Sequence, residues 1–262
     1  MEKVFKLSVI AVSAMFLMGG CADDTPKAKE ATKHAEHHAK HWGYSGDVGP
    51  EHWGKLDEKF KMCSEGKQQS PIDVVPTKDV DLPALDLKYA QGSKNIIDNG
   101  HAVQVNVKNG SVFNIDGVPY ELKQFHFHTP SENHIKGKSF PMEAHFVHAT
   151  KDGKLAVIAV MFTEGAANPT LGKIIKSFPL EHNKAKTLEF DQDYLNVVMP
   201  TNKDYYKFMG SLTTPPCSEQ VKWFVLKTPQ TASKAQIEAM SKQIAKKNNR
   251  PIQPTNGRVV EE

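Results

Sequence analysis

The sequence predicts a mainly β (α+β) fold, a large sheet with a few short peripheral helices. Eight runs alternate in polarity or are β-branched and aromatic. Asn-Gly and Asp-Gly pairs punctuate them as turns, and two segments alone combine a cap with a helical apolar stripe. With 39% hydrophobic and 24% charged residues among 262, the composition is near the globular average. A wholly disordered chain, a collagen-like chain and a polytopic membrane protein are therefore excluded.

Along the chain, Met1-Glu2-Lys3-Val4-Phe5-Lys6, the apolar run Leu7 to Met18 and the pair Gly19-Gly20 have the parts of an export signal over residues 1–20. The run is too short for a spanning helix, which wants about 18 or more apolar residues. Met18-Gly19-Gly20-Cys21 is similar to a bacterial lipobox, in which Cys21 would carry a lipid anchor. Cleavage after Ala22 would instead release a soluble protein, and the sequence leaves both open. Either way the expected location is outside the cytoplasm, in the periplasm. Residues 21–41 have linker composition and read as a flexible tether. His34, His37, His38 and His41 share a helical face there and could hold a metal loosely. A solvated tether is the stronger reading, since such a segment has nothing to pack against.

Residues 42–262 read as one domain without internal repeats. The expected strands are Leu85–Ala90, Ala102–Val107, Ser111–Ile115, Tyr120–His128, Met142–Thr150, Leu155–Phe162, Tyr206–Gly210 and Val221–Lys227. Asn99-Gly100, Asn109-Gly110 and Asp152-Gly153 are the turns. Asn168-Pro169 caps a helix with Leu171, Ile174, Ile175 and Phe178 on one face. Ser233 and Gln236 form a capping box before Ile237, Met240 and Ile244.

The net charge is +3, and Arg250 and Arg258 are the only arginines, so no basic patch interleaved with aromatics argues for nucleic acid. Three cysteines cannot make a four-thiolate zinc site, so any metal site must lean on the 12 histidines.

In Gln124-Phe125-His126-Phe127-His128, side chains two apart share a strand face. His126 and His128 therefore project together, about 7 Å apart at Cα, and can clamp one ion. Phe125 and Phe127 point the other way and can anchor the strand in a core. Alone, His-x-His is a weak signal. A second strand-like run, Pro141 to His148, is placed to return beside the first, and His145 or His148 could be the third ligand. Glu143 favours His145, because it lies two residues ahead on the same face and a ligating imidazole usually donates its other N–H to a carboxylate or carbonyl. Gln124 stands in the same relation to His126. His148 falls on the opposite face, where a hydrogen-bonded structural histidine is expected.

Three neutral imidazoles with an open fourth position are what a catalytic zinc needs to hold and ionise a water. With no thiolate, no His-Glu-x-x-His helix and no ligating carboxylate, Zn2+ is the expected cofactor. Metal-dependent amidohydrolases on a β/α barrel also use His-x-His, but the repeated strand-helix units they need are not seen.

Several further motifs agree in order and spacing with one family. They are Trp42-Gly43-Tyr44, Gly49-Pro50-Glu51-His52-Trp53, Gln69-Ser70-Pro71-Ile72-Asp73, Asn99-Gly100-His101-Ala102, Leu155-Ala156-Val157, Ser211 to Ser218 and Asn249-Arg250-Pro251. With the histidine runs, they make the chain resemble the α-class carbonic anhydrases from Trp42 to Arg258. The resemblance implies a large, twisted, mixed but mostly antiparallel sheet with peripheral helices in a single domain. It also implies zinc on His126, His128 and His145, and reversible hydration of carbon dioxide to bicarbonate and a proton.

The resemblance further assigns roles. Thr213 accepts a hydrogen bond from the zinc-bound hydroxide and donates its own to Glu132. Thr214 lines the cavity, and Val147, Val157, Leu212, Val221 and Trp223 wall the pocket for an apolar substrate. His101 is the proton shuttle, a role suited to a side chain of reference pKa about 6.5. Tyr44, Asn99 and Gln104 hold the connecting water chain. His101 and Gln104 have opposite strand parity, so His101 must sit at a strand entrance after the Asn99-Gly100 turn.

One departure concerns the second ring of partners. The family frequently reads Ser-Glu-His where this chain has Ser131-Glu132-Asn133-His134. Either Asn133 replaces that histidine as the partner of Glu143, or His134 reaches instead. The resemblance also implies a Cys63–Cys217 disulfide, worth roughly 2 to 5 kcal/mol by loop closure, cis peptides at Ser70-Pro71 and Pro215-Pro216, and a homodimer. The alternative function is a non-catalytic carbonic-anhydrase-like domain for zinc binding or adhesion. Such domains lack one or more zinc histidines, and here all three are present.

Overall fold

The computed structural model describes residues 41–262. The export segment, Cys21 and the tether histidines His34, His37 and His38 lie outside the described residues. The strands are β1 (Asp73–Val74), β2 (Asp86–Lys88), β3 (Ser93–Asp98), β4 (Val103–Val107), β5 (Val112–Ile115), β6 (Val118–His128), β7 (His134–Ile135), β8 (Met142–Ala149), β9 (Leu155–Glu164), β10 (Lys186–Thr187), β11 (Tyr205–Ser211), β12 (Glu219–Leu226) and β13 (Gln230–Ala232). The α-helices are α1 (Trp53–Leu56), α2 (Met62–Glu65), α3 (Pro169–Ile175), α4 (Gln192–Val198) and α5 (Lys234–Ile244).

Eleven strands form one sheet in the order β10-β3-β4-β6-β8-β9-β12-β11, with β5 also on β6, β2 on β5 and β13 on β9. The β9 pairings to β12 and β13 are parallel and the others antiparallel, so the sheet is mixed and mostly antiparallel. Both faces are buried, which suits the near-continuous apolar run of β9. One face carries Phe125, Phe127, Phe146, Ile158, Val160 and Phe224, and the other carries Val157, Ala159, Met161, Val221, Trp223 and Val225. Phe125 and Phe146 stack across β6 and β8 with centroids 5.0 Å apart. Each such buried ring contributes about 1.5–3 kcal/mol relative to exposure.

The period of two is broken once in β6. Its register against β8 shifts between Leu122 and Gln124, so Tyr120 and Leu122 share a face with Phe125 and Phe127 despite their opposite parity. This bulge at Lys123 fixes which face His126 and His128 take. The 124–128 segment below it keeps strict alternation.

All eight expected strands form, with no end displaced by more than two residues. β3 was not expected: Ser93-Lys94-Asn95-Ile96-Ile97-Asp98 has little apolar bulk because only Ser93 and Ile96 are fully buried. α4 was also missed, although Asp191 caps it by accepting from the N–H groups of Asp193 and Tyr194. Both expected caps are present. Asn168 accepts from Thr170 and Leu171, and Ser233 and Gln236 form the capping box. α3 ends at Ile175 before reaching Phe178, which precedes Pro179; a residue before proline disfavours helix.

Cys63 and Cys217 form a disulfide joining α2 to the loop after β11. Ser70-Pro71 and Pro215-Pro216 are cis, as are Thr129-Pro130 and Phe178-Pro179. Among the described residues no helix is long and apolar enough to cross a membrane.

Candidate metal centre

Antiparallel pairing sets His126 directly opposite His145, and His128 follows two residues along β6 on the same face. Ring centroids lie 5.0 Å apart for His126 and His128, 5.4 Å for His126 and His145, and 4.5 Å for His128 and His145. One nitrogen from each ring lies within 4.8 Å of the other two. His126 is half-buried and the others are buried.

Each ring has an acceptor behind it. His126 Nδ1 is 2.8 Å from Gln124 Oε1, and His128 Nδ1 is 2.7 Å from the Asn248 carbonyl. His145 Nε2 is 2.9 Å from Glu143 Oε1, although off hydrogen-bond alignment. These partners assign the inward nitrogens as Nε2 of His126 and His128 and Nδ1 of His145. Burial lowers the pKa of all three rings, and neighbouring histidines lower His126 and His145 further. Neutral imidazole is the ligating form. His128 Nε2 is buried without a hydrogen-bond partner, a loss that a bound metal would make good, so the trio fits one.

Glu143 is fully buried, and Asn133 answers the question left by the sequence. Glu143 Oε2 accepts from the N–H groups of Glu132 (2.7 Å) and Asn133 (2.9 Å), and Oε1 accepts from Asn133 Nδ2 at 2.7 Å. His134 lies elsewhere, in β7 beside Asp73. Asn133 Oδ1 also accepts from the Ile72 N–H at 3.1 Å.

Glu132 lies beside the inward nitrogens of His128 and His145. Its Oε1 accepts from the Arg250 N–H at 2.8 Å, and its Oε2 lies 3.4 Å from His128 Nε2 and 3.8 Å from His145 Nδ1. Oε2 has no aligned hydrogen-bond partner, yet the Thr213 hydroxyl is close enough to favour its charged form. Burial pushes the Glu132 carboxyl up to about 8 against the Arg250 N–H and Thr213; a dication held by the trio would pull it down.

A cavity of about 140 Å³ opens over His126 and His128, lined also by Trp42, Tyr44, Asn99, His101, Gln104, Gln124 and Thr214. Val147, Val157, Leu212, Val221 and Trp223 are not among its lining residues. They pack in the apolar cluster on the same sheet face, where Trp223 meets the His145 ring edge-on at 5.0 Å. Tyr44 Oη is buried without a partner. Asn99 Nδ2 donates to Gln104 Oε1 (3.2 Å), and Gln104 Nε2 donates to Asn106 Oδ1 at 2.8 Å.

His101 lies just before β4, after the Asn99-Gly100 turn, where Asn99 Oδ1 accepts its backbone N–H at 3.0 Å. Trp42 stacks on the ring at 3.6 Å and His41 at 5.3 Å. Burial first, then the charges of His41, Lys246 and His182, pushes His101 down to about 4. Trp42→Ala removes the stacked cover and is expected to raise this pKa toward 6.5. Between these values the wild-type ring is neutral and the variant ring protonated. An NMR titration of the His101 ring reads this directly, and an unmoved pKa would assign the depression to the cationic neighbours.

His148 points to the opposite face, where the Tyr89 hydroxyl is 2.6 Å from its Nε2 and Phe113 packs edge-on. Two residues near the site went unnoticed in the sequence, Asn248 and the charged side chain of Arg250. In the sequence Arg250 stands out only as a rare arginine and as part of a motif, and Asn248 follows α5 in irregular chain with no period to mark it.

Residues 48–262 match the family model described as eukaryotic-type carbonic anhydrase. The chain belongs to the α-class carbonic anhydrase family. It is 47% identical to a carbonic anhydrase of Pectobacterium atrosepticum over 84% of this chain and 90% of the relative. It is 45% identical to one of Neisseria gonorrhoeae over 89% and 91%. Among solved structures, the α-carbonic anhydrase of Thermovibrio ammonificans, in complex with the inhibitor sulfanilamide, matches with a TM-score of 0.81. That match has 43% identity and covers 85% of this chain and 99% of the other. Membership makes carbon dioxide and bicarbonate the substrates and zinc the metal that His126, His128 and His145 are positioned to hold.

Proposed function

We propose that this carbonic anhydrase works through His126, His128 and His145 as zinc ligands, Thr213 and Glu132 as the pair that orients the attacking oxygen, and His101 as the proton carrier. The observation that carries the reading is the convergence of three ring nitrogens, each backed by an acceptor, next to a cavity that His126 and His128 line, with Glu132 beside them. Zinc bound there supplies Lewis acidity, which lets water ionise at a far lower pH than in bulk. Gln124, Glu143 and the Asn248 carbonyl hold the ring tautomers. Glu132, fixed by the Arg250 N–H, accepts a hydrogen bond from the Thr213 hydroxyl, so Thr213 can only accept from the attacking oxygen and turns that oxygen's lone pair toward carbon dioxide. The apolar side chains Val147, Val157, Leu212, Val221 and Trp223 offer the substrate no hydrogen bonds, and Thr214 lines the cavity beside them. His101, with Tyr44, Asn99 and Gln104, carries the proton outward.

The test is stopped-flow carbon dioxide hydration by the zinc-loaded protein and by His101→Ala. In dilute buffer kcat of the variant is expected to fall on the order of 100-fold, with kcat/KM falling much less and concentrated imidazole buffer restoring kcat. An unchanged kcat in dilute buffer would remove His101 from the reading.

The enzyme is exported to the periplasm by residues 1–20, in keeping with a Cys63–Cys217 disulfide. It is then either released or anchored to the membrane through lipid on Cys21, and the intact mass of the mature protein distinguishes these. A homodimer is the assembly suggested by the family.

A further inference from the structure

We propose that Asn248 is a positioning residue that fixes the spacing between the proton carrier His101 and the metal trio. The proposal rests on the reading of His101 given above.

β4 and β6 are paired from Asn106 opposite Gln124 to Gln104 opposite His126, and the pairing stops there. Beyond that point one chain leads to His101 and the other through Phe127 and His128 to Thr129. His101 and His128 thus stand where β4 and β6 have parted, beyond the last rung at His126, and no ladder bond between these two strands sets their separation.

The Asn248 side chain fills the gap. Fully buried, its Nδ2 donates to the His101 carbonyl and the Phe127 carbonyl, each at 2.9 Å, and its Oδ1 accepts from the Thr129 N–H at 2.8 Å. A side-chain amide offers the same donors and acceptor as a peptide group, so Asn248 acts as one more rung between strands that have separated. Its own carbonyl holds His128 Nδ1 at 2.7 Å. One residue therefore touches the backbone of the carrier and the ring of a metal ligand.

The chain is delivered there by a left-handed residue, Ala245 (φ 64°), which ends α5. Asparagine suits the position because both donors and the acceptor are used. Aspartate has the same shape but would face two carbonyl oxygens with a charge and no donor, and alanine would leave three buried backbone groups unpartnered.

The test uses the full-length protein, with zinc affinity measured by chelator competition and hydration by stopped flow. Asn248→Asp keeps the backbone carbonyl behind His128 but loses the side-chain bonds that place it, so zinc binding is expected to weaken about tenfold, the low end for losing a partner behind a ligand. When zinc-saturated, its kcat in dilute buffer should fall about tenfold more than kcat/KM, with imidazole buffer restoring it. In a His101→Ala background the same substitution should add nothing to the loss of kcat. Zinc affinity within about twofold of wild type, or effects of the two substitutions on kcat that multiply in full, would overturn the proposal. If Asn248→Asp does not fold, Asn248→Ser, which retains one donor, gives the same signs at smaller size. Should His101→Ala leave dilute-buffer kcat unchanged, the reading of His101 fails, while zinc affinity still decides the role of Asn248.

Discussion

Replacing His145 by alanine is expected to abolish tight zinc binding and, with it, carbon dioxide hydration. Among the described residues His145 supplies one of the three inward nitrogens, and the two that remain, on His126 and His128, both come from one strand. A two-nitrogen site cannot hold zinc against the water that would replace the missing ligand. The loss should exceed the 10–100-fold typical of removing a partner behind a ligand, because the bond itself is lost. Zinc content and stopped-flow hydration of the same preparation give both readings. Equal activity in His145→Ala and wild type would sink the proposed ligand set. His148→Ala is the matched control, three residues along the same strand but facing Tyr89 and Phe113. It should retain zinc and lose roughly 1–3 kcal/mol of stability, because the buried Tyr89 hydroxyl is left without its partner.

That contrast shows what the sequence could and could not reveal. The convergence of His126, His128 and His145 was legible because a strand repeats every two residues and Glu143 and Gln124 mark the same face. The bulge at Lys123 was not legible, and the parity argument was safe only because it used residues 124–128. β3 was missed because Ile96 and Ile97 are its only apolar residues and one of its two buried positions is a serine. The choice between Asn133 and His134 could not be made from spacing, since both are near Glu143 in sequence. It is made by β7, which pairs His134 with Asp73 and leaves Asn133 turned to Glu143. Asn248 lies in chain without a period, and its function depends on where two strands part, which is a property of tertiary structure. The calm composition hid Arg250 in the same way. Among 33 basic residues it is one of two arginines, and nothing in its neighbours announces burial.

Arg250→Met should cost roughly 3–5 kcal/mol of stability, a large share of the 5–15 kcal/mol that holds a domain folded. The guanidinium is buried, with Nη1 donating to Gln69 Oε1 and the Ser70 carbonyl and Nη2 donating to the Cys63 carbonyl, all at 2.8 Å. It also lies 5.6 Å from the Trp53 ring. Burial lowers its pKa to about 10, so it remains charged near neutral pH. Methionine fills the volume but leaves three buried acceptors unpartnered, each costing about 1–3 kcal/mol less whatever relaxation and water recover. Those acceptors tie together the segment before β1, the disulfide-bearing α2 and, through the Arg250 N–H, Glu132 itself. Methionine keeps the backbone N–H that holds Glu132, but the loosened segment should shift it, so activity is expected to fall together with stability. Arg250→Lys should recover only part of the loss, since an ammonium cannot reproduce the planar fork. Urea unfolding of both variants, monitored alongside hydration, gives the comparison. A midpoint unchanged in Arg250→Met would show that the clamp contributes nothing net, and full activity in that variant would show that Glu132 is held by the rest of the chain.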